Sequence, residues 1–506
     1  MLTNDHLFFR FGKALEPAAP GFPIVCLNGG IMADTGNEKK NYIFFNQDRY
    51  PLYAAMGGMR CLIFTYDDEH MEQYCKRLAK AKKDLKLIES YTGPLLAFEL
   101  PVPLFLHLKD THPFKLITNA KLKEQALDPA IINPHVTTAG IYLNQISPTI
   151  SGLLSGFYKF LLDNHINLSV RLDEYERMAH CALKWHDKAN YVKLIKNSTT
   201  KADFPDHVPT AVLSSRHMDS LTWDRLKNFF SGETRVNDIE AFYIKSNIDT
   251  AGEVSAIVNK TNFSLQIHSL KQQIALKITA MERTHSNLKL LIQPYIKRSG
   301  PDDFPKTIGI TYNILDKNHF QLVAVIGQVY EDREYKTFIG SYMSDKMTDQ
   351  VMASIGKGRI KNLVQLFADQ GYRGPVNLDA IRNNQNKYQF IYDCNPRLGG
   401  TFPGLILKKA FEKQGLIINN LLTLGYRGRI IYPDLASKLD QLKDLGLLYT
   451  KKNQKGIYII PSIVRPQSFD IVLINLRMDK MRSILNSNII DTLSDPGQKD
   501  LKGIYL

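Results

Sequence analysis

The chain has little of what marks a specialised class. Its five cysteines (Cys26, Cys61, Cys75, Cys181 and Cys394) are scattered, odd in number, and never spaced as Cys-x-x-Cys. This indicates neither a disulfide framework nor a zinc ribbon, and reduced thiols are expected. No apolar run reaches the roughly 18 residues that span a bilayer. The strongest candidate, Pro94 to Leu108, is interrupted by Glu99, Pro101 and Pro103. Residues 1–13 lack the basic-then-apolar layout of a secretory leader, so a cytoplasmic protein with no membrane partner is expected. There is no internal repeat and no low-complexity segment.

What remains is globular. The 506 residues are 44% hydrophobic, 10% aromatic and 23% charged, which excludes wholesale disorder, collagen and a coiled-coil rod and leaves room for two to four domains. Lys plus Arg exceed Asp plus Glu by 14, a bias that attracts nucleic acid, anionic lipid, acidic protein or phosphorylated small molecules. The densest basic clusters, Lys76 to Lys86 and Lys451 to Lys455, lack the interleaved aromatics of a single-strand groove, which argues against nucleic acid.

Patterning predicts a mixed α/β chain in three parts. Residues 1–180 alternate short apolar runs, Phe22 to Leu27 and Met59 to Tyr66, with the polar, helix-like Asp67 to Lys83, as in βαβ units around a small parallel sheet. Leu85 to Ile88, Leu95 to Leu100 and Leu116 to Thr118 read as further strands, and Gly140 to Asp163 as a helix. Residues 181–425 begin with a helix from Asp187. Strands are then expected at Ala241 to Lys245, Val254 to Val258, Leu288 to Ile296, Thr307 to Leu315 and Gln321 to Val329. Helices are expected over Leu265 to Met281 and Met347 to Gln370. Val376 to Ile381 and Tyr388 to Cys394 form a hairpin joined by the turn-rich Arg382 to Lys387. Residues 426–506 read as a small mixed module of their own.

The chemistry concentrates in that hairpin. Side chains alternate along strands, so Asp379 and Asp393 can share a face with Asn395. Two carboxylates and an amide oxygen suit a hard cation such as Mg²⁺, which keeps waters and takes substrate phosphates as further ligands. The plain alternative is an acidic hairpin salt-bridged by Arg397, whose donor fork also suits a phosphate or oxyanion. Pro396 ends the strand and puts Arg397 in a loop.

Asp393-x-Asn395-Pro396-Arg397-x-x-Gly400 resembles the closing signature of the ATP-grasp superfamily, and the resemblance extends upstream in order. His186-Asp187-Lys188 resembles the opening of its nucleotide-binding region, and Phe242 to Asn247 the strand whose lysine, here Lys245, meets the phosphates. Ala251-Gly252 falls at the phosphate-covering loop. Leu290 to Ile296 resembles the hinge that recognises adenine, with Gln293 where an acidic residue is usual and Pro294, Tyr295 and Ile296 following. Asp393 stands where glutamate is commoner. The long α/β region before Asp187 and the Gly371 to Asp379 and Gly399 to Gly404 segments are similar to ligases with a Rossmann-like pre-ATP-grasp domain, such as the pheganomycin peptide ligase and butirosin-type carboxylate ligases.

The resemblance implies a two-lobed ATP-grasp core in which ATP is bound by Lys188, Lys245, Gly252 and Gln293 to Ile296. It also implies Mg²⁺, or Mn²⁺ in its place, on Asp379, Asp393 and Asn395, with Lys245 and Arg397 as catalytic groups. The implied reaction is ADP-forming ligation of an amino acid or peptide carboxylate to an amine through an acylphosphate. A carrier-protein thiol as acceptor, an ATP-dependent carboxylase, and a non-catalytic nucleotide- or RNA-binding protein are the alternatives. An acidic carrier protein is a further partner that the surplus of positive charge would suit. The default assembly is a homodimer.

Overall fold

The structure is a computed structural model, and it describes residues 24–26, 56, 60–65, 68–94, 104–109, 112–116, 139–140, 180–182, 184–198, 203–232, 238–248, 254–281, 288–297, 304–330, 338–396, 402–424, 430–431, 434–461 and 468–485. These form a mixed α/β fold with three sheets. The first comprises β1 (Ile24–Cys26), β2 (Arg60–Thr65), β3 (Leu104–Lys109), β4 (His112–Leu116) and β5 (Ala139–Gly140), in the order β4-β3-β2-β1-β5. It is parallel except for the β3–β4 pair, as alternating strand and helix patterning predicts.

Helix α1 (Asp68–Thr92) joins β2 to β3 and corrects one expectation. Leu85 to Ile88 is not a strand but part of this helix. Leu78, Ala81, Leu85, Ile88 and Thr92 are all buried, and their alternating spacing of three and four makes one helical stripe. The short run looked strand-like only in isolation. Gly93, at φ +84°, ends the helix with its N–H on the Glu89 carbonyl, the left-handed cap that glycine permits. The expected strand over Leu95 to Leu100 and helix over Gly140 to Asp163 lie almost wholly outside the described residues.

Helix α2 (Lys188–Asn197) leads to the second sheet, made of β6 (Ala211–Ser214), β7 (Ala241–Ser246), β8 (Ser255–Asn259) and β9 (Lys289–Pro294). Its order is β6-β9-β7-β8, antiparallel throughout. Phe242, Ile244, Val258, Leu290 and Ile292 turn one face into a small core shared with Ile267, Leu270 and Ile274 of α3 (Phe263–Met281). The other face, which carries Lys245, is turned toward the third sheet.

The third sheet is antiparallel and has nine strands. They are β10 (Thr307–Ile314), β11 (Phe320–Tyr330), β12 (Phe338–Ser344), β13 (Gly374–Arg382), β14 (Tyr388–Asn395), β15 (Asn420–Leu424), β16 (Ile430–Ile431), β17 (Gly456–Pro461) and β18 (Ser468–Ile474). Strands β14-β13-β10-β11-β12-β15 run in that order, and β18 then pairs with β15, β16 and β17. Residues after 425 therefore hydrogen-bond into the same sheet as the hairpin. The single helix expected over Met347 to Gln370 is two, α4 (Asp345–Ile355) and α5 (Lys357–Asp369). Gly356, at φ +92°, breaks the run, since no helix continues through that backbone conformation. Both helices still bury one stripe, Val351, Ile355, Ile360, Leu363, Val364 and Phe367, which is why the periodicity read as continuous. Helix α6 (Leu435–Asp444) packs against α1.

The β12–β15 seam links the hairpin side of this sheet to its C-terminal strands, and it leaves no room for a side chain at Gly340. A Cβ there would lie 2.0 Å from the Thr423 carbonyl oxygen. Gly340→Ala should cost about 2 kcal/mol or more in chemical denaturation. Gly358→Ala, on α5 with nothing within 4 Å of the added carbon, should leave stability unchanged or raise it by up to about 1 kcal/mol.

Candidate active site at the β13–β14 hairpin

The hairpin turns because of its asparagines. Asn383 Oδ1 accepts from the N–H of Gln385 and of Lys387, each at 3.0 Å, and Asn386 takes the left-handed conformation at φ +61°. Asparagine does both readily. The register that follows sets Asn377 opposite Asn395, Leu378 opposite Cys394 and Asp379 opposite Asp393. Alternation then places the two aspartates and two asparagines on one face, and Leu378 and Cys394 in the core. Burial pushes the Cys394 thiol well up, which makes it a packing residue and not a nucleophile.

Asp379 is held by neutral amides. Asn377 Nδ2 donates to its Oδ1 at 2.8 Å, Gln328 Nε2 to the same oxygen at 3.0 Å, and Asn395 Nδ2 to Oδ2 at 3.3 Å. Each of the first two amides is itself anchored. Thr311 donates to Asn377 Oδ1 at 3.0 Å, and the Tyr330 hydroxyl donates to Gln328 Oε1. Such outer contacts orient a ligating carboxylate. Gly309 lies opposite Asp379 on β10, and a Cβ there would come within 2.6 Å of Asn377 Oδ1 and 3.1 Å of Asp379 Oδ1. Glycine makes the space for this pair.

Asp393 is held by cations. Lys245 Nζ lies 3.3 Å from its Oδ2 and Lys188 Nζ 3.7 Å from its Oδ1. Burial alone would raise this carboxyl, but the two ammonium groups outweigh it and hold the group down at about 2, a charged carboxylate at any physiological pH. Lys188 and Lys245 are only 3% and 4% exposed. Buried lysines at this level require charge partners. Asn395 Nδ2 also donates to Asp393 Oδ1 at 3.2 Å, so one NH₂ group stands between the two carboxylates.

Between Asp379 and Ala380 the ladder shifts, so that β14 carries two extra residues, Ile391 and Tyr392. Tyr392 sits at φ +53°, which costs about 1–2 kcal/mol for a residue with a side chain. The result is that the Ile391 carbonyl leaves the ladder and accepts from Lys245 Nζ at 3.0 Å and from Gln293 Nε2 at 3.2 Å. The strained turn is packed in place by rings: Tyr392 lies 4.7 Å from His207 and 5.2 Å from Tyr191, centre to centre.

Lys188 reaches the site because α2 is fastened to the second sheet. Asp187 caps the helix by accepting from the Ala189 N–H at 2.9 Å. Asn247, 1% exposed, uses every polar group in this join. Its Nδ2 donates to Asp187 Oδ1 at 2.8 Å, its carbonyl accepts from the Lys188 N–H at 2.8 Å, and its Oδ1 accepts from the Lys289 N–H at 2.9 Å.

The structure thus brings together Lys188, Lys245, Gln293, Asp379, Asp393 and Asn395. At the expected hinge, Pro294 has no N–H and the Tyr295 N–H is donated to the Ala241 carbonyl at 2.8 Å, which leaves Ile296 as the backbone donor of the three. Gln293 spends its NH₂ on Thr210 Oγ1, at 2.8 Å, and on Ile391. Gly252, Arg397 and Gly400 lie outside the described residues. Sequence reasoning missed Asn247, Asn377, Gln328, Thr210, His207 and Gly309. Asn377 was accessible from alternation two places before Asp379. The others depend on partners remote in sequence.

Among the described residues no group of three or more His, Cys, Asp or Glu gathers as a metal cluster. The donor set is instead two carboxylates and one amide, which fits a hard cation that completes its shell with water and phosphate. Half a turn of the Asn395 amide, which here donates to both carboxylates, would present its oxygen to that ion.

No protein-family model matches the chain, and no curated protein matches its sequence. Among solved structures it is similar to N5-carboxyaminoimidazole synthetase from Staphylococcus aureus at 11% identity and a TM-score of 0.44, over 94% of this chain and 98% of that one. It is also similar to biotin carboxylase from Campylobacter jejuni at 11% identity and 0.45, over 92% and 90%. A third is D-alanyl-alanine synthetase A from Vibrio cholerae O1 biovar eltor, at 11% and 0.38, over 78% and 94%.

His207 gives this site a measurable pH signature. Its Nδ1 faces the Pro205 carbonyl at 2.8 Å and so carries the proton, and its Nε2 accepts from the Tyr191 hydroxyl at 2.8 Å. Burial lowers its pKa from 6.5 to about 4. The unfolded chain therefore binds this proton first as pH falls, and the neutral ring's contribution is full above 6.5 and lost on descent to 4. Stability should drop by up to about 3 kcal/mol over that window from this group. Urea titrations of His207→Gln should show a flatter pH profile between 6.5 and 4 than the parent.

Proposed function

We propose that this chain is an ADP-forming ATP-dependent ligase that joins the carboxylate of an amino acid or peptide to an amine through an acylphosphate. The observation that carries this reading is the placement of two buried lysines, from two different elements, on the Asp393 carboxylate beside Asp379 and Asn395. Two desolvated cations against a carboxylate pair is an arrangement suited to a polyphosphate, whose oxygens can take over the lysines while the carboxylates hold the accompanying cation. The ATP-grasp resemblance of the surrounding motifs supports the same assignment.

In this reading Asp379, Asp393 and Asn395 hold Mg²⁺, with Mn²⁺ able to substitute. When bound, the ion neutralises charge on the phosphates and on the transferring group. Lys188 and Lys245 would give their contacts to phosphate oxygens, and Asp393, paired with them here, would then be available to hold the cation. The Ile391 carbonyl keeps Lys245 aimed during that exchange, and Gln293 ties the base-binding hinge to the same carbonyl. In the same reading Gly252 serves phosphate binding, and Pro294, Tyr295 and Ile296 serve the base.

The carboxylate oxygen attacks the γ-phosphorus and ADP departs. The amine then attacks the acyl carbon, phosphate departs and the amine loses its proton. Arg397 offsets charge on the acylphosphate and on the oxyanion that follows. Residues 1–180, as a pre-ATP-grasp domain, and residues 426–506, whose described strands extend the sheet of the core, select substrates. The finer likeness is to pheganomycin- and butirosin-type ligases.

Lys245→Ala, Asp393→Ala and Arg397→Ala should each lower ADP release by at least about a hundredfold with an amino-acid pair as substrate. A variant with parental turnover would remove that residue from the site. Saturating Mg·ATP should raise the thermal midpoint of the parent but not of Asp393→Ala. An acceptor screen scored by phosphate release reassigns the reaction if thiol or bicarbonate succeeds where amines fail. No stabilisation by Mg·ATP and no phosphate release with any acceptor would reject the ligase.

A further inference from the structure

We propose that the face built from the second half of α1 and the connection between α6 and β17 is a docking surface for an acidic, amphipathic protein segment. The C-terminal end of α1, the helix that carries one of the chain's two densest lysine clusters, meets the other cluster here. The Lys451 N–H donates to the Thr92 carbonyl at 2.9 Å, and a Cβ on Gly93 would lie 3.3 Å from Lys451 Cβ. Lys443 Nζ stands 6.0 Å from the centre of the Tyr91 ring. On α1, Lys76, Lys80 and Lys83 follow helical spacing with Lys86 beside them, and all four are exposed, as are Lys443, Lys451, Lys452 and Lys455.

The charge is concentrated here. Residues 76–92 and 434–455 hold eleven lysine and arginine residues against five aspartate and glutamate, an excess of six out of the chain's fourteen. The nucleotide site does not account for it, since Lys188 and Lys245 lie elsewhere and are paired with Asp393.

Apolar groups at the same place choose the partner class. Ile417 is 68% exposed and Leu445 56%. Asn475 Nδ2 donates to the carbonyls of both Ile417, at 2.6 Å, and Gln454, at 2.8 Å, so Ile417 is stapled beside the Lys451–Lys455 turn. Leu445 lies two residues before Leu447, whose carbonyl accepts from the Ile457 N–H at 2.8 Å just beyond Lys455. Exposed aliphatic anchors rimmed by cations complement a segment with acidic and apolar faces. A phosphate backbone, with a charge every ~1.7 Å of duplex, has no use for the aliphatic groups.

The test is fluorescence anisotropy of the full-length protein with three labelled probes: an amphipathic helical peptide of glutamate, alanine and leucine, the same peptide with leucine replaced by glutamine, and oligouridylate. The leucine peptide should bind most tightly. Lys83→Glu/Lys86→Glu/Lys451→Glu/Lys452→Glu should weaken it at least about tenfold while the thermal midpoint and the response to Mg·ATP stay unchanged. Ile417→Ser/Leu445→Ser should remove the advantage of the leucine peptide over the glutamine one. Equal binding by the charge-reversed protein, no preference for leucine, no peptide binding, or tighter binding of oligouridylate with the same dependence on the four lysines would each overturn the proposal. Because the partners of Asp393 are Lys188, Lys245 and Asn395 and none of these surface residues, failure here leaves the ligase reading intact, and loss of the Mg·ATP response in the parent leaves this one intact.

Discussion

The ion triad of Lys188, Lys245 and Asp393 is the constraint on which the rest of the molecule depends. Neither lysine would be stable at 3–4% exposure without a counter-charge, and without them burial would push the Asp393 carboxyl up instead of leaving it held down. The three residues come from α2, β7 and β14, so the pairing fastens the small sheet and the α2 segment to the large one. Breaking one partner leaves a buried charge uncompensated, which is far more costly than the net gain of making the pair.

Around that triad the protein supports the same few atoms from several directions. Asn247 ties α2 to the second sheet, the displaced Ile391 carbonyl holds Lys245 and Gln293, and the Thr311–Asn377 and Tyr330–Gln328 hydrogen bonds fix Asp379. Tyr392 bears the backbone strain that frees the Ile391 carbonyl, and strain of this kind persists only where surrounding packing holds it. His207 and Tyr191 provide that packing. The positions most exposed to substitution are therefore the positioning residues as well as those that would touch a ligand.

Much of this was legible in the chain. The hairpin with Asp379, Asp393 and Asn395 on one face follows from alternation and an asparagine-rich turn, and β7, β9, β10 and β11 follow from apolar runs bounded by turn residues. Errors fell where a local pattern supports two structures. Leu85 to Ile88 is a four-residue apolar run when read alone and one helical stripe when read with Leu78, Ala81 and Thr92. Gly356 interrupts a periodicity that α4 and α5 share because both pack on the same sheet.

The sequence by itself determined the chemical inventory: few cysteines, a hairpin with an acidic face, lysines at the ends of a strand and a helix, and a surplus of positive charge. Side-chain alternation and turn chemistry are local properties, so they can be read from neighbours in the chain. Tertiary structure alone decided which cation meets which anion. That Lys188 and Lys245 converge on Asp393, that Gln293 spends its amide on Thr210 and Ile391, and that Lys451 meets the end of α1 are outcomes of sheet order and register. These contacts form between segments far apart in sequence, and their energies depend on burial and distance, neither of which is a property of any single stretch of residues.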